Sequence, residues 1–111
     1  MTKVFNTKWF NITKFNYGES EYYKLNQSEG IVILPLTKKN ELILIQQYRP
    51  CLKKKTIEFP AGSLEKNETI LNCAKRELLE ETGYISKNWK LLGSGVLRLE
   101  RENTKNYFFL A

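Results

Sequence analysis

The chain has 111 residues, 41% of them hydrophobic, and 18 basic against 12 acidic side chains give it a net charge of +6. That length bounds it to one small domain able to bury a core, no apolar run reaches the ~20 residues of a membrane span, and the basic balance favours anionic partners. All twelve acids are Glu, and with neither Asp nor His a Ser-His-Asp triad, a Cys-His pair, a His-rich zinc site and an EF-hand loop are excluded.

The N-terminus, MTKVFNTKWFNITK, lacks the 7–15-residue apolar block of a secretory signal, so a cytoplasmic location is expected. Val4 to Tyr17 reads as one or two extended segments broken by Gly18, and a further strand is expected over Ser20 to Leu25, with Tyr22 and Tyr23 as core or interface anchors. Gly30 to Leu36 is nearly continuous apolar sequence, as expected of a strand buried on both faces and ending at Pro35. Glu41 to Tyr48 reads as a second central strand, joined to the first as an antiparallel hairpin.

Arg49-Pro50 ends that strand, and Cys51 to Lys55 is a loop with three consecutive lysines, either solvated or attracting substrate phosphates. A short strand, Thr56 to Phe59, turns at Pro60-Ala61-Gly62 toward a helix that should start near Asn67 or Glu68, with Asn67 as its N-cap. Cys73 reads as a small packing residue of that helix, and with Cys51 it makes neither a disulfide nor a zinc site. Beyond Gly83, extended sequence resumes over Trp89 to Leu99, Glu100 to Lys105 is a charged turn, and Asn106 to Ala111 is a last strand.

The helix ends in Glu77, Glu80 and Glu81, three carboxylates at the negative pole of the helix dipole. At ~100° per residue, Glu77 and Glu81 lie within about 40° of one another, beside the apolar stripe of Ile70, Leu71, Ala74 and Leu78. Like charges at that spacing repel, more so beside apolar surface, and a hard divalent cation is the simplest neutraliser; a Glu-rich solvated helix end is the plainer alternative.

Gly62, Glu68, Arg76-Glu77-Leu78, Glu80-Glu81 and Gly83 stand at the spacing of the signature box of the Nudix hydrolases, and the stretch 62–84 resembles that box at every fixed position. Only Tyr84, where the family usually has an aliphatic residue, departs from it. The flanking Gln47-Tyr48-Arg49-Pro50 and Ile57-Glu58-Phe59-Pro60-Ala61-Gly62 resemble the ADP-ribose pyrophosphatase branch. The resemblance implies an α+β fold over residues 1–111, a mixed β-sheet packed by the box helix, with residues 1–28 forming N-terminal strands that could serve as a dimer arm.

The resemblance further implies Mg²⁺ or Mn²⁺ held by Glu77, Glu80, Glu81 and the Ala61 carbonyl, with Glu80 and Glu77 catalytic. Arg49 and Glu58 would meet the substrate, and Gly62, Glu68, Arg76 and Gly83 would shape the box, Glu68 and Arg76 as an ion pair. The implied reaction is hydrolysis of a nucleoside diphosphate derivative, ADP-ribose to AMP and ribose 5-phosphate, by a homodimer with neither a membrane nor nucleic acid as partner. Family members usually continue with a further strand and helix after the position of Ala111, and a glutamate there often joins the site. With the sequence ending at Ala111, either it is a truncated form, or a partner chain completes the layer, or Glu100 or Glu102 takes over part of that role; the alternative function is an incomplete or non-catalytic domain that binds a nucleotide or a partner protein.

Overall fold

The computed structural model describes residues 1–111. The N-terminal quarter folds as a three-stranded antiparallel meander, β1 (Thr2–Asn6), β2 (Phe10–Tyr17) and β3 (Ser20–Gln27). It has little core of its own: β1 is exposed throughout, and Phe5, Trp9, Tyr17, Tyr22 and Tyr23 are all exposed. Tyr22 and Tyr23 are therefore not core anchors; Tyr22 instead stacks on Phe15, 5.7 Å between ring centroids, at the surface.

Four strands build the second sheet: β4 (Gly30–Leu34), β7 (Ala61–Ser63), β8 (Lys90–Val96) and β9 (Lys105–Leu110), in the order β7-β4-β9-β8. β4 runs antiparallel to β7 and parallel to β9. The single helix, α1 (Ile70–Thr82), covers one face. Alternation directs Ile31 and Ile33 at it, where they join Cys73, Ala74, Leu78 and Phe109 in a fully buried cluster, with Trp89 edge-on to Phe109. Ile31, Ile33, Leu78 and Phe109 each contribute about 1.5–3 kcal/mol by leaving water. Val32 and Leu34, on the opposite face, are only half-buried, so β4 is sealed on one side rather than two.

β5 (Ile45–Arg49) and β6 (Lys54–Glu58) form a separate two-stranded ribbon. The expected central hairpin of β4 with residues 41–48 exists only at its base: Leu36 bridges Leu42, and Ile43 N donates to Pro35 O, before the chains diverge. Pro35 has no N–H for a ladder and ends β4 there, which frees the following apolar residues to feed the ribbon. The run of lysines is correspondingly not all loop, since Lys54 and Lys55 open β6.

The meander is tied to the second sheet by Leu25 N donating to Arg101 O and by Gln27 Nε2 donating to Glu102 Oε2 at 2.8 Å. The Glu102 side chain is wholly buried in that seam, with Arg98 Nη1 3.6 Å from its other oxygen. That placement occupies Glu102 between the two sheets, and no hydrogen bond or ion pair joins it to the glutamates of α1.

Candidate metal and active site

The helix that carries the glutamates starts later than its sequence suggests. Asn67 adopts a left-handed conformation, φ 62°, in a turn closed by Glu68 N donating to Glu65 O. Thr69 is the N-cap instead, its hydroxyl accepting from Asn72 N at 3.1 Å, a contribution of about 1 kcal/mol. At the other end Gly83, φ 76°, donates its N–H to Leu79 O, a left-handed closure that glycine adopts without strain.

The turn at Asn67 swings Glu68 off the helix and back across it to Arg76. Arg76 Nε and Nη2 bond the two Glu68 oxygens at 2.7 and 3.0 Å, and Nη2 also donates to Ser63 O at 3.3 Å. Its Nη1 spans Glu77 at 2.9 Å and Glu80 at 3.1 Å, with Glu65 at 3.7 Å. Every donor edge of this guanidinium is therefore used, and its pKa is raised above the ordinary value, chiefly by the hydrogen bonds to Glu68. The same bonds hold Glu68 down at about 2. One residue thus joins β7, the loop before α1 and α1 itself.

Glu77 and Glu81 both point at the start of β7. A Cβ built on Gly62 would stand 2.2 Å from Glu77 Cδ, so the missing side chain is the space that the carboxyl fills. Glu81 Oε2 accepts from Ala61 N at 3.1 Å. Burial pushes the Glu81 carboxyl up to about 6; the Ala61 N–H acts in the opposite direction, and the charge of Glu77 beside it adds to the rise. Two carboxylates held side by side at a partly buried position carry a repulsion that a cation would relieve.

Glu80 faces outward with Arg76 and is 57% exposed, and no three acidic or cysteine side chains are gathered tightly enough to hold an ion alone. The donor set at the corner is all oxygen: two carboxylates beside the backbone of Ala61. Such a set fits a hard, oxygen-seeking cation completed by carbonyl, water or substrate oxygens.

The ribbon carries a second pair, with β6 leading through Phe59 and Pro60 into Ala61. Arg49 Nε donates to Glu58 Oε2 at 2.8 Å and its Nη2 to the other oxygen, while the Thr56 hydroxyl bonds Glu58 Oε2. Arg49, then Thr56, hold Glu58 down at about 2, and Gln47 adds to this. The Arg49 pKa is raised, first by Glu58 and in smaller part by the charge of Glu81, which puts the ribbon's inner face in the field of the helix glutamates.

The NUDIX domain family model matches residues 27–110. The chain belongs to the Nudix family. Among curated relatives this Nudix chain is 44% identical over 55 residues to a methanol dehydrogenase activator from Bacillus methanolicus, a match covering 50% of this chain and 30% of that protein. It is 42% identical over 58 residues to an ADP-ribose pyrophosphatase from Bacillus subtilis, covering 52% and 31%. The chain thus spans about a third of the length of these relatives. A crystal structure of an ADP compounds hydrolase superposes with a TM-score of 0.84 at 21% identity, over 98% of this chain and 62% of that one, a likeness of fold.

Within this Nudix domain the structure brings Glu77, Glu81, Gly62 and Ala61 into contact, sets Arg49 with Glu58 on the ribbon, and leaves Glu80 outside with Arg76. Sequence reasoning passed over Thr56 and Gln47, which support Glu58, and Ser63, whose carbonyl holds Arg76. Thr56 was accessible by strand alternation, since residues i and i+2 share a face. The Ser63 carbonyl carries no side-chain signal.

Proposed function

We propose that this chain is a metal-dependent pyrophosphohydrolase of the ADP-ribose branch, splitting ADP-ribose into AMP and ribose 5-phosphate. The observation that carries the reading is the convergence of Glu77 and Glu81 on the Gly62–Ala61 backbone. Glu77, Glu81 and the Ala61 carbonyl are the residues that would hold Mg²⁺ or Mn²⁺, with Glu80 joining from the exterior once it leaves Arg76. A bound divalent ion supplies phosphate charge neutralisation and an acidified water.

The chain's own residues do the remainder. Arg49, oriented by Glu58, meets the diphosphate or ribose. Glu80, with Glu77 beside it, is the carboxylate assigned to orient the attacking water and take its proton. Arg76 fixes Glu77 and so holds the box in shape. The exposed aromatics of β1 to β3 favour a homodimer through the meander. No helix is long and apolar enough to cross a membrane, and the small-nucleotide reading involves neither membrane nor nucleic acid.

A second reading, a non-catalytic domain that binds a nucleotide or a partner protein, is favoured by one fact: the carboxylates gather on Arg76, and no three of them are grouped so as to hold a metal ion. Incubation with ADP-ribose and Mg²⁺ separates the two. Release of AMP that stops on addition of EDTA is expected; no turnover across a panel of nucleoside diphosphate sugars, with ADP still bound, would establish the second.

A further inference from the structure

The lysine run 53–55 does not act as one patch, because the ribbon sorts its three members to different places. Lys53, φ 55°, sits in the left-handed position of the turn between β5 and β6, where Leu52 N donates to Arg49 O and Lys53 N to Pro50 O. That turn sets the register Arg49↔Lys54 and Tyr48↔Lys55. Directly paired residues share a face, and alternate residues along a strand share it too. One face of the ribbon therefore carries Ile45, Gln47 and Arg49 opposite Glu58, Thr56 and Lys54; the other carries Gln46 and Tyr48 opposite Ile57 and Lys55.

Burial says which face looks inward. Ile45, Gln47, Thr56 and Glu58 are all half-buried, whereas Gln46, Tyr48, Lys55 and Ile57 are all exposed, Ile57 at 68%; Arg49 and Lys54, at the turn end of the inner face, are exposed too. That face also carries Glu58, which ends β6 three residues before Ala61, the residue whose N–H donates to Glu81. Lys54 thus shares the face of Arg49 and Glu58, at its exposed end, and Lys55, one residue away, is on the other face.

The charges on that face do not balance. Glu58 is committed to Arg49 through both oxygens. None of the chain's ion pairs includes Lys54. Like charges directly opposite one another on a sheet are destabilising. Arg49 and Lys54 stand opposite with one carboxylate between the two of them, so the pair carries a net positive charge. Arg49 also has its Nη1 edge free, since Nε and Nη2 hold Glu58. An anion placed between Nη1 of Arg49 and the ammonium of Lys54 would satisfy both, and a tetrahedral phosphate offers the oxygens to do so.

We propose that Lys54 is the second cation of a phosphate clamp whose first member is Arg49, and that the clamp grips the diphosphate of a nucleoside diphosphate substrate. The proposal rests on reading the helix-and-ribbon corner as a site for such a substrate, and it assigns to Lys54 a role in binding rather than in bond cleavage. Lys55 and Lys53 have no part in it.

The test compares Lys54→Gln, Lys55→Gln and Lys54→Arg in the full chain. Each removes or keeps one charge at an exposed position, so all three should fold. ADP binding in the presence of Mg²⁺ is measured by calorimetry, and KM and kcat for ADP-ribose are measured separately. Lys54→Gln is expected to weaken ADP binding and raise KM by about five- to tenfold with kcat within about twofold, while Lys55→Gln changes neither by more than about twofold and Lys54→Arg restores binding. Equal losses in Lys54→Gln and Lys55→Gln would mean a diffuse basic field and would overturn the clamp, as would no loss in Lys54→Gln or no ADP binding by the unmodified chain. A Lys54-specific loss of ADP binding without turnover of ADP-ribose would support the clamp while refuting the hydrolase reading; turnover indifferent to Lys54 would do the reverse.

Discussion

Arg76 and Arg49 each grasp a glutamate through Nε and Nη2, and each holds that carboxyl down at about 2. Their settings differ. Arg76 is 23% exposed, with its remaining edge on Glu77 and Glu80 and a backbone carbonyl behind it; Arg49 is 46% exposed and keeps Nη1 free on a ribbon that pairs with no other strand. The same bidentate chemistry thus serves as a fastener where carboxylates outnumber the cation, and as a presenting hand where they do not. Saturation of the donors, more than strength of the pair, separates a structural arginine from one available to a ligand.

Substitutions at the helix corner should have the largest effects on activity. Glu81→Gln is expected to lower kcat for ADP-ribose by at least about a hundredfold. It should leave the thermal midpoint unchanged or raised, because an ionised carboxylate held beside Glu77 at a partly buried position is replaced by a neutral amide; calorimetry alongside the rate assay checks both halves. Gly62→Ala comes next. The added methyl meets the far end of the flexible Glu77 side chain, not backbone, so the protein should fold while Glu77 is displaced and activity drops about tenfold or more.

The comparison of the two arginines is broken most directly by removing each. Arg76→Met should lower the thermal midpoint by about 5 °C or more, since it strands Glu68 and Glu77 without a cation, whereas Arg49→Met should barely move it and should instead raise KM. Equal thermal losses would mean that both pairs are structural. Glu58→Gln should have a milder form of the Arg49 effect, a KM rise of a few-fold at unchanged stability, read from the same assays.

The smallest effect is that of pH on the stability of the chain in chelator. Glu81 is at about 6 in the fold against an ordinary 4.5, so the folded state binds the extra proton and stability rises as pH falls from 7 toward 4.5. Glu68, at about 2 against 4.5, contributes stability that is present above pH 4.5 and lost as pH falls toward 2, and Glu58, in a pair more open to solvent, acts in the same direction with only a small share. A maximum near pH 4.5 to 5 in the thermal midpoint is expected, and Glu81→Gln should abolish the rise on its alkaline side.

Much of the corner was legible in the sequence because it is local. Arg76, Glu77 and Glu81 lie on one helix closed by Gly83, where spacing fixes direction, and the apolar stripe correctly placed Ala74 and Leu78 in the core, whereas Gly62, on β7, was marked only by the resemblance to the Nudix box. What the sequence obscured depends on register and on partners far along the chain. ELILIQQY has the composition of a central strand, yet after Pro35 it finds no partner in the main sheet and pairs with β6 alone. Asn67 has an N-cap's chemistry, but a left-handed turn there lets Glu68 reach Arg76, and the cap passes to Thr69. The three lysines look equivalent until the hairpin turn decides which of them faces Arg49.

The central claim is that Glu77 and Glu81 together hold a divalent cation on the Gly62–Ala61 backbone. Titration of the protein with Mn²⁺ at neutral pH, followed by the free-ion electron paramagnetic resonance signal, tests it without reference to substrate or turnover. The account predicts stoichiometric binding that weakens by about tenfold or more in Glu77→Gln and in Glu81→Gln, with Glu65→Gln unaffected. Binding that is the same in all four proteins, or no binding in the unmodified chain, would contradict it.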